Sequence, residues 1–248
     1  MKKLFFASLF LIPQLLNAQN NGWWLYPSIG VDMGITLPIP LSDIPEGASG
    51  APELHPNIGI GIEYQISDRW NLANEVGYQT LSFTSSLNVR SQAYHDIYIT
   101  GHTNVNVDLR FVEFPFMANY RIGNRWNLLT GTYVSFLLKK EFLTSLDEGL
   151  FTDSKVHADT ATSFVSFNPP LLYPYSDNIS KWDIGLLLGY RYNLNHRIQF
   201  WTRLQVGVKS MFKKDFTDID YDLYMVRLNV GLSVILFNNK LENEDDGE

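Results

Sequence analysis

The sequence has 248 residues, a net charge of −7, a mean hydropathy of −0.10, 14% aromatic residues and no cysteine. That length fits one ordinary domain or one barrel, the missing thiols exclude disulfides, a cysteine nucleophile, cysteine-held metal and a lipid anchor on cysteine, and the acidic balance suits nucleic acid poorly. Beyond residue 18 no run approaches the roughly 18 consecutive apolar residues of a membrane helix, so strands remain the available way across a bilayer.

The chain opens like a secretory leader. Lys2 and Lys3 form a charged start, Leu4 to Leu16 is apolar apart from Ser8, Pro13 and Gln14, and Leu16-Asn17-Ala18 ends in a small residue. This pattern predicts export and cleavage after Ala18, giving a signal peptide over 1–18. The apolar stretch is too short to span comfortably as an anchor. Losing Lys2 and Lys3 would leave the mature chain two units more negative.

Alternation of apolar with small or polar residues carries the fold reading over 19–239. In 28–37, Ile29, Val31, Met33, Ile35 and Leu37 alternate with Ser28, Gly30, Asp32, Gly34 and Thr36. In 57–66, Ile58, Ile60, Ile62, Tyr64 and Ile66 alternate with Asn57, Gly59, Gly61, Glu63 and Gln65. Noisier runs follow at 70–84, 105–122, 126–140, 181–193 and 198–212. The last is the cleanest: Val226, Leu228, Val230, Leu232, Val234 and Leu236 face away from Arg227, Asn229, Gly231 and Ser233. These faces approach the ~9–11 residues of a tilted spanning strand, where soluble strands average about 5–6. A soluble sandwich would also alternate, but glycine on a solvated face only weakens a strand, whereas in a narrow barrel it leaves room for neighbours. The expected fold is all-β: an eight-stranded antiparallel transmembrane β-barrel.

The sequence from Tyr64 to Leu72 (YQISDRWNL) repeats from Tyr120 to Leu128 (YRIGNRWNL), and a looser copy runs from Tyr190 to Phe200. Each copy reads as strand end, short polar turn and strand start. Tyr64, Trp70, Tyr120, Trp126, Tyr190 and Phe200 beside these turns are expected to form an interfacial aromatic girdle. The remaining connections, near 39–55, 89–104, 141–180 and 213–222, are long. Short periplasmic turns opposite long extracellular loops is the pattern of outer-membrane barrels. A hairpin hidden at 161–167 would raise the count to ten strands. The acidic stretch 240–248 reads as a disordered tail.

The inward set contains Asp32, Glu63, Glu75, Glu113 and Asp183 beside Arg121, Arg191, Arg203 and Arg227. These residues are expected to pair as a structural charge network filling the lumen, with a proton or ion path as the sharper alternative. His95, Asp96 and His102 share one loop, and His157 lies near Asp153 and Asp159; neither set has the spacing of a metal site, so no metal or cofactor is expected. No serine stands beside a histidine in a strand register that suggests a nucleophile and base. Aromatics at Phe164, Phe167, Tyr173 and Tyr175 could form a recognition surface or a self-packed cap. Phosphate-loop, dinucleotide and EF-hand patterns are missing.

Three stretches together resemble the PorT-like family of outer-membrane β-barrel proteins: Val112 to Arg121 (VEFPFMANYR), Gly131 to Leu138 (GTYVSFLL) and Asp183 to Arg191 (DIGLLLGYR). The resemblance implies a Gram-negative cell envelope and an architecture rather than a catalytic set. Asn229, Gly231, Val234 and Leu236 also fit the terminal-strand signal for barrel assembly, with its aromatic displaced to Phe237. The expected role is a non-enzymatic structural or surface-interaction component of the outer membrane, linked to secretion or envelope assembly. Its expected partners are outer-membrane lipid and lipopolysaccharide, the barrel-assembly machinery and an unidentified extracellular or periplasmic molecule. The alternatives are a narrow pore for small solutes and a lipid-modifying membrane enzyme.

Overall fold

The computed structural model describes residues 22–44, 47–94, 97–216, 219 and 221–238. The leader over 1–18 and the tail over 240–248 lie outside the described residues. Among these, one antiparallel sheet contains β1 (Trp23–Pro38), β2 (Ser49–Pro52), β3 (His55–Gln65), β4 (Trp70–Tyr94), β5 (Ile97–Ile122), β6 (Trp126–Thr152), β7 (Val165–Pro174), β8 (Trp182–Asn193), β9 (Ile198–Gly207), β10 (Leu223–Val234) and β11 (Phe237–Asn238). One short helix, α1 (Lys155–Asp159), precedes β7.

Eight of these strands close a ring in the order β1-β3-β4-β5-β6-β8-β9-β10, with β10 pairing back onto β1 from Ser28↔Ser233 to Pro38↔Leu223. Closure leaves no free edge at membrane depth, the condition under which strands can cross hydrocarbon. The period-2 pattern decides which face meets lipid. Ile29, Ile58, Ile60, Val76, Phe136, Leu186, Leu188 and Leu228 are exposed on the outside, whereas Tyr26, Asp32, Glu63, Leu129 and Arg227 are buried inside.

The turns 66–69, 123–125 and 194–197 lie on the side where the described chain begins and ends, which is the periplasmic side of this architecture. Gly123 takes a positive φ of 73° with nothing near its missing side chain, so it serves backbone geometry alone.

The opposite end departs from the expected long loops. β4 and β5 run almost unbroken to Tyr94 and Ile97, and β6 continues to Thr152. On these segments the inner face stays apolar, with Ile99, Val107, Phe142 and Leu146 buried, but the outer face is polar, so the lipid-facing signal ends while β-propensity persists. In place of the hairpin suspected at 161–167 stands the single strand β7, over Val165–Pro174. It pairs with the outer extension of β6, opposite Leu143–Gly149, and does not enter the ring. β2 likewise pairs with β4, opposite Phe83–Ser86. The barrel therefore has eight spanning strands and a β-wall rising on one side of its outer mouth.

Candidate functional site

The outward faces of β5 and β6 mark the membrane boundary. On β5, Tyr120, Ala118, Phe116, Phe114 and Val112 give way to Arg110, Asp108 and Asn106. On β6, apolar side chains reach Leu138, where a bulge re-phases the strand so that Lys139 and Glu141 point outward beside Arg110 and Asp108. Trp126 to Leu138 covers thirteen residues, and such a span, tilted, matches an apolar band about 25 Å tall. Lys139 Nζ lies 2.6 Å and Arg110 Nη2 3.3 Å from Asp108 Oδ2. Partial burial pushes the Asp108 carboxyl up, but hydrogen bonds from Lys139 and Arg110 outweigh it and hold it below the usual carboxylate range.

At the periplasmic end, Trp70 stacks on Tyr120 at 4.9 Å between ring centres. Trp126 stacks on Tyr192 at 4.7 Å, and Trp23 on Phe237 at 4.8 Å. Tyr64 lies opposite Trp23 and Phe200 opposite Tyr192, while Tyr190 faces outward one step into the band. The sequence reading missed Trp23, Tyr192 and Phe237; the parity of Trp23 with Leu25 and of Tyr192 with Tyr190 was available, whereas Phe237 reaches the outer face only because the register against β1 shifts by one after Ser233.

Inside, the three glutamates and the three arginines occupy opposite halves of the ring. Arg191 on β8 pairs with Glu63 on β3. Arg203 on β9 grips Glu75 on β4 with two hydrogen bonds of 3.2 and 2.7 Å. Arg227 on β10 makes a 2.6 Å ion pair with Glu113 on β5. Each pair joins strands four places apart in the eight-membered ring, so each crosses the full bore. All six side chains are at least 96% buried, where an unpaired ion would cost several kcal/mol.

Aromatic and amide groups complete the set. Arg227 lies between the rings of Phe111 and Tyr133, at 4.6 and 4.7 Å, and Arg203 lies 4.2 Å over Trp201. Glu113 Oε1 accepts from Gln79 at 2.9 Å and Gln205 at 2.6 Å. Asp32 does not face an arginine; it accepts from the side-chain amides of Asn57 and Asn229 and the backbone N–H of Thr80. Asp183 accepts from the Tyr133 hydroxyl at 2.8 Å. The inward glycines make room for these large groups. Gly61, Gly185 and Gly231 sit opposite Tyr26, Tyr133 and Trp201 in register, and a side chain on any of them would overlap the ring.

Arg121 is the exception among the expected lumen residues. It is exposed and lines a polar recess at the periplasmic mouth with Gln65, Asn193 and Gln199. It sits beyond Tyr120 where β5 turns toward β6, below the level of the bore, so alternation alone put it one step too far inside.

Above the ion pairs the lumen turns apolar. Leu81, Phe83, Leu109, Phe142, Met211 and Phe212 pack with Ile179 and Met225 into a continuous layer. The bore is thus filled twice, by salt-bridged polar side chains and then by hydrocarbon.

Among the described residues no cluster of three or more His, Asp or Glu side chains has metal-binding geometry. His95 and Asp96 lie outside the described residues. His102 has different neighbours from those expected. Its Nε2 is 2.9 Å from Ser86 Oγ and its Nδ1 is 3.0 Å from Asn88 Oδ1, on the outward face of the β-wall. An amide oxygen can only accept, so Nδ1 carries the proton and Nε2 is free to accept from the serine. The hidden signal was register: Asn88 pairs with His102, and Ser86 is two residues away on the same face.

Residues 17–213 match the family model described as the outer membrane protein beta-barrel domain. The chain belongs to that family. This outer-membrane β-barrel protein has no match among curated proteins. Solved structures similar to it include the attachment invasion locus protein Ail of Yersinia pestis in complex with the heparin analogue sucrose octasulfate, at 10% identity and a TM-score of 0.39 over 86% of this chain and 97% of that one. Neisserial surface protein A shares 11% identity at a TM-score of 0.41, over 86% and 97%. OprG from Pseudomonas aeruginosa shares 10% at 0.33, over 86% and 95%.

Proposed function

We propose that this protein is a non-conducting outer-membrane barrel whose β-wall presents an interaction surface outside the cell, within the PorT-like branch of its family. The observation that carries the reading is the doubly filled bore, with three ion pairs across its diameter below an apolar layer. An eight-stranded barrel is just wide enough for its own side chains, and ions cannot cross a packed hydrocarbon layer cheaply. The outer extension of β5 from Arg110 to Ile97 adds fourteen residues, roughly 45 Å of strand at about 3.3 Å each. The bore then serves stability, while recognition falls to the wall and its partner outside the membrane. In planar bilayers the purified barrel is expected to stay silent. Steady unitary openings would overturn this reading in favour of a narrow pore.

A second reading has one observation in its favour. Ser86, His102 and Asn88 stand in the order nucleophile, base and orienter, in the tautomer that acyl transfer needs. That arrangement would suit hydrolysis of an ester at the cell surface. Under this reading the intact protein hydrolyses p-nitrophenyl butyrate, and Ser86→Ala and His102→Ala each reduce the rate to background. Equal rates in all three would remove it.

A further inference from the structure

We infer that the outer half of the barrel holds a binding site for a small uncharged hydrocarbon, which enters sideways from the membrane through a seam between β1 and β2. This goes beyond the surface role and does not depend on it.

A half-open cavity of about 270 Å³ lies above the apolar layer, walled by Phe83, Ile99, Val105, Phe142, Leu146 and Leu223. Among the described residues no Asp, Glu, Lys or Arg lines it; the polar groups of that lining are hydroxyls and backbone. A dry apolar cavity of about 150 Å³ accepts benzene, and drug-sized pockets begin near 300 Å³. The volume therefore suits a monocyclic ring or one short acyl chain. The uncharged lining offers no partner for a carboxylate or phosphate, whose desolvation would go uncompensated.

The route is set by strand pairing. The β1–β3 ladder stops at Asp32↔His55, and β2, which follows the same side of the ring, pairs with β4 instead of β1. Among the described residues, the stretch of β1 beyond Asp32 is held by ladder pairing to β10 alone. Both faces of that stretch line the cavity: Thr36 and Pro38 from the lumen side, Ile35 and Leu37 from the lipid side. The cavity therefore wraps round the strand edge and continues to the outer surface. The end of Ile35 lies over Gly50 of β2, so a side chain, not a backbone ladder, covers the seam. Ile35 is twelve residues above Trp23 of the girdle, at the upper edge of the apolar band. The seam is flanked by Ile39, Leu41, Ile44 and Leu54, all exposed, with Leu41 at 60% and Leu54 at 64%. Such a cluster of exposed hydrocarbon is stable beside lipid and costly in water.

The test uses the full chain in proteoliposomes with a photoreactive diazirine-bearing decanol, the attachment sites being mapped by mass spectrometry. Label is expected on Phe83, Phe142 and Leu223, with little from the matching decanoate. Thr144→Trp, which fills the cavity, should reduce that label at least tenfold in protein that still shifts on boiling. The pair Ile35→Cys and Gly50→Cys would form the protein's sole disulfide and lock the seam. Oxidation should reduce labelling at least tenfold, and reduction should restore it, a control that does not depend on how Thr144→Trp folds. Label confined to lipid-facing residues would overturn the site. Labelling that persists through the locked seam would overturn the lateral route.

Discussion

Replacing Glu75 with leucine leaves Arg203 without its partner in a nearly solvent-free bore. In the native barrel that guanidinium donates twice to Glu75, which also accepts from Ser28 Oγ at 3.1 Å. Removing one member of a buried pair typically costs about 3–5 kcal/mol, mostly the desolvation of the charge left behind. Arg203→Met should cost a similar amount by stranding Glu75. The double variant Glu75→Leu with Arg203→Met removes both charges and should return close to wild type, since apolar replacements of buried pairs are often neutral or stabilising by about 1–4 kcal/mol. The singles then do not add, and the mismatch measures the coupling. The assay is urea unfolding of the detergent-refolded barrel, followed by loss of the fast-running unboiled band. Two single variants that each cost under about 1 kcal/mol and sum to the double would refute the reasoning, because Glu75 and Arg203 would then be solvated separately. If the cycle holds, the cross-bore pairs act mainly by penalising any strand register that strands a charge.

Val230→Arg, on the lipid face of β10, should lower assembly yield through a cost of roughly 2–4 kcal/mol near the midplane, read as the heat-modifiable fraction in the outer membrane; wild-type yield would reverse the inside–outside assignment. Ser233→Arg should act instead by crowding Gln199 in the lumen, where Ser233 is 1% exposed. Gly231→Ala puts a methyl group against Trp201 and the Ile29 carbonyl and should destabilise by about 1–3 kcal/mol, seen as a lower urea midpoint. Asp108, with its carboxyl held below the usual range, contributes stability to the base of the β-wall at neutral pH. That contribution is complete above the unfolded value of about 3.9 and is lost as pH falls through the lower folded value. Hydrogen exchange in β5 and β6 near Asp108 should therefore accelerate only in strong acid, and Asp108→Asn should abolish the pH dependence.

The spanning part of the fold was legible because lipid and lumen impose opposite demands on successive residues. All eight runs of alternation correspond to ring strands, and the aromatic repeats at Tyr64–Leu72 and Tyr120–Leu128 mark two of the short turns. Individual acids and bases could be assigned to the bore from parity, but not who faces whom: the Glu75–Arg203 contact joins residues 128 apart through ring closure. Parity gave the side of Arg121 but not its depth: the strand ends there and the bore opens, so it lines the mouth. Outside the membrane the signal weakened, because Thr84, Ser86 and Asn88 stand on the outer face of β4 where Leu72, Val76 and Tyr78 stand at membrane depth. The β-wall, the Ser86–His102–Asn88 contact and the seam beside β2 all lie there. Each depends on which strands pair beyond the membrane, which a two-residue period cannot specify.

The central claim is a closed eight-stranded ring in the outer membrane, and gel mobility of the outer-membrane fraction with and without boiling tests it most directly. The closed ring should resist detergent and run at one position unboiled, then shift to that of the unfolded chain after heating. Identical mobility in both lanes, with the protein recovered in the soluble periplasmic extract, would contradict the ring and with it every lipid-facing assignment made from β1 to β10.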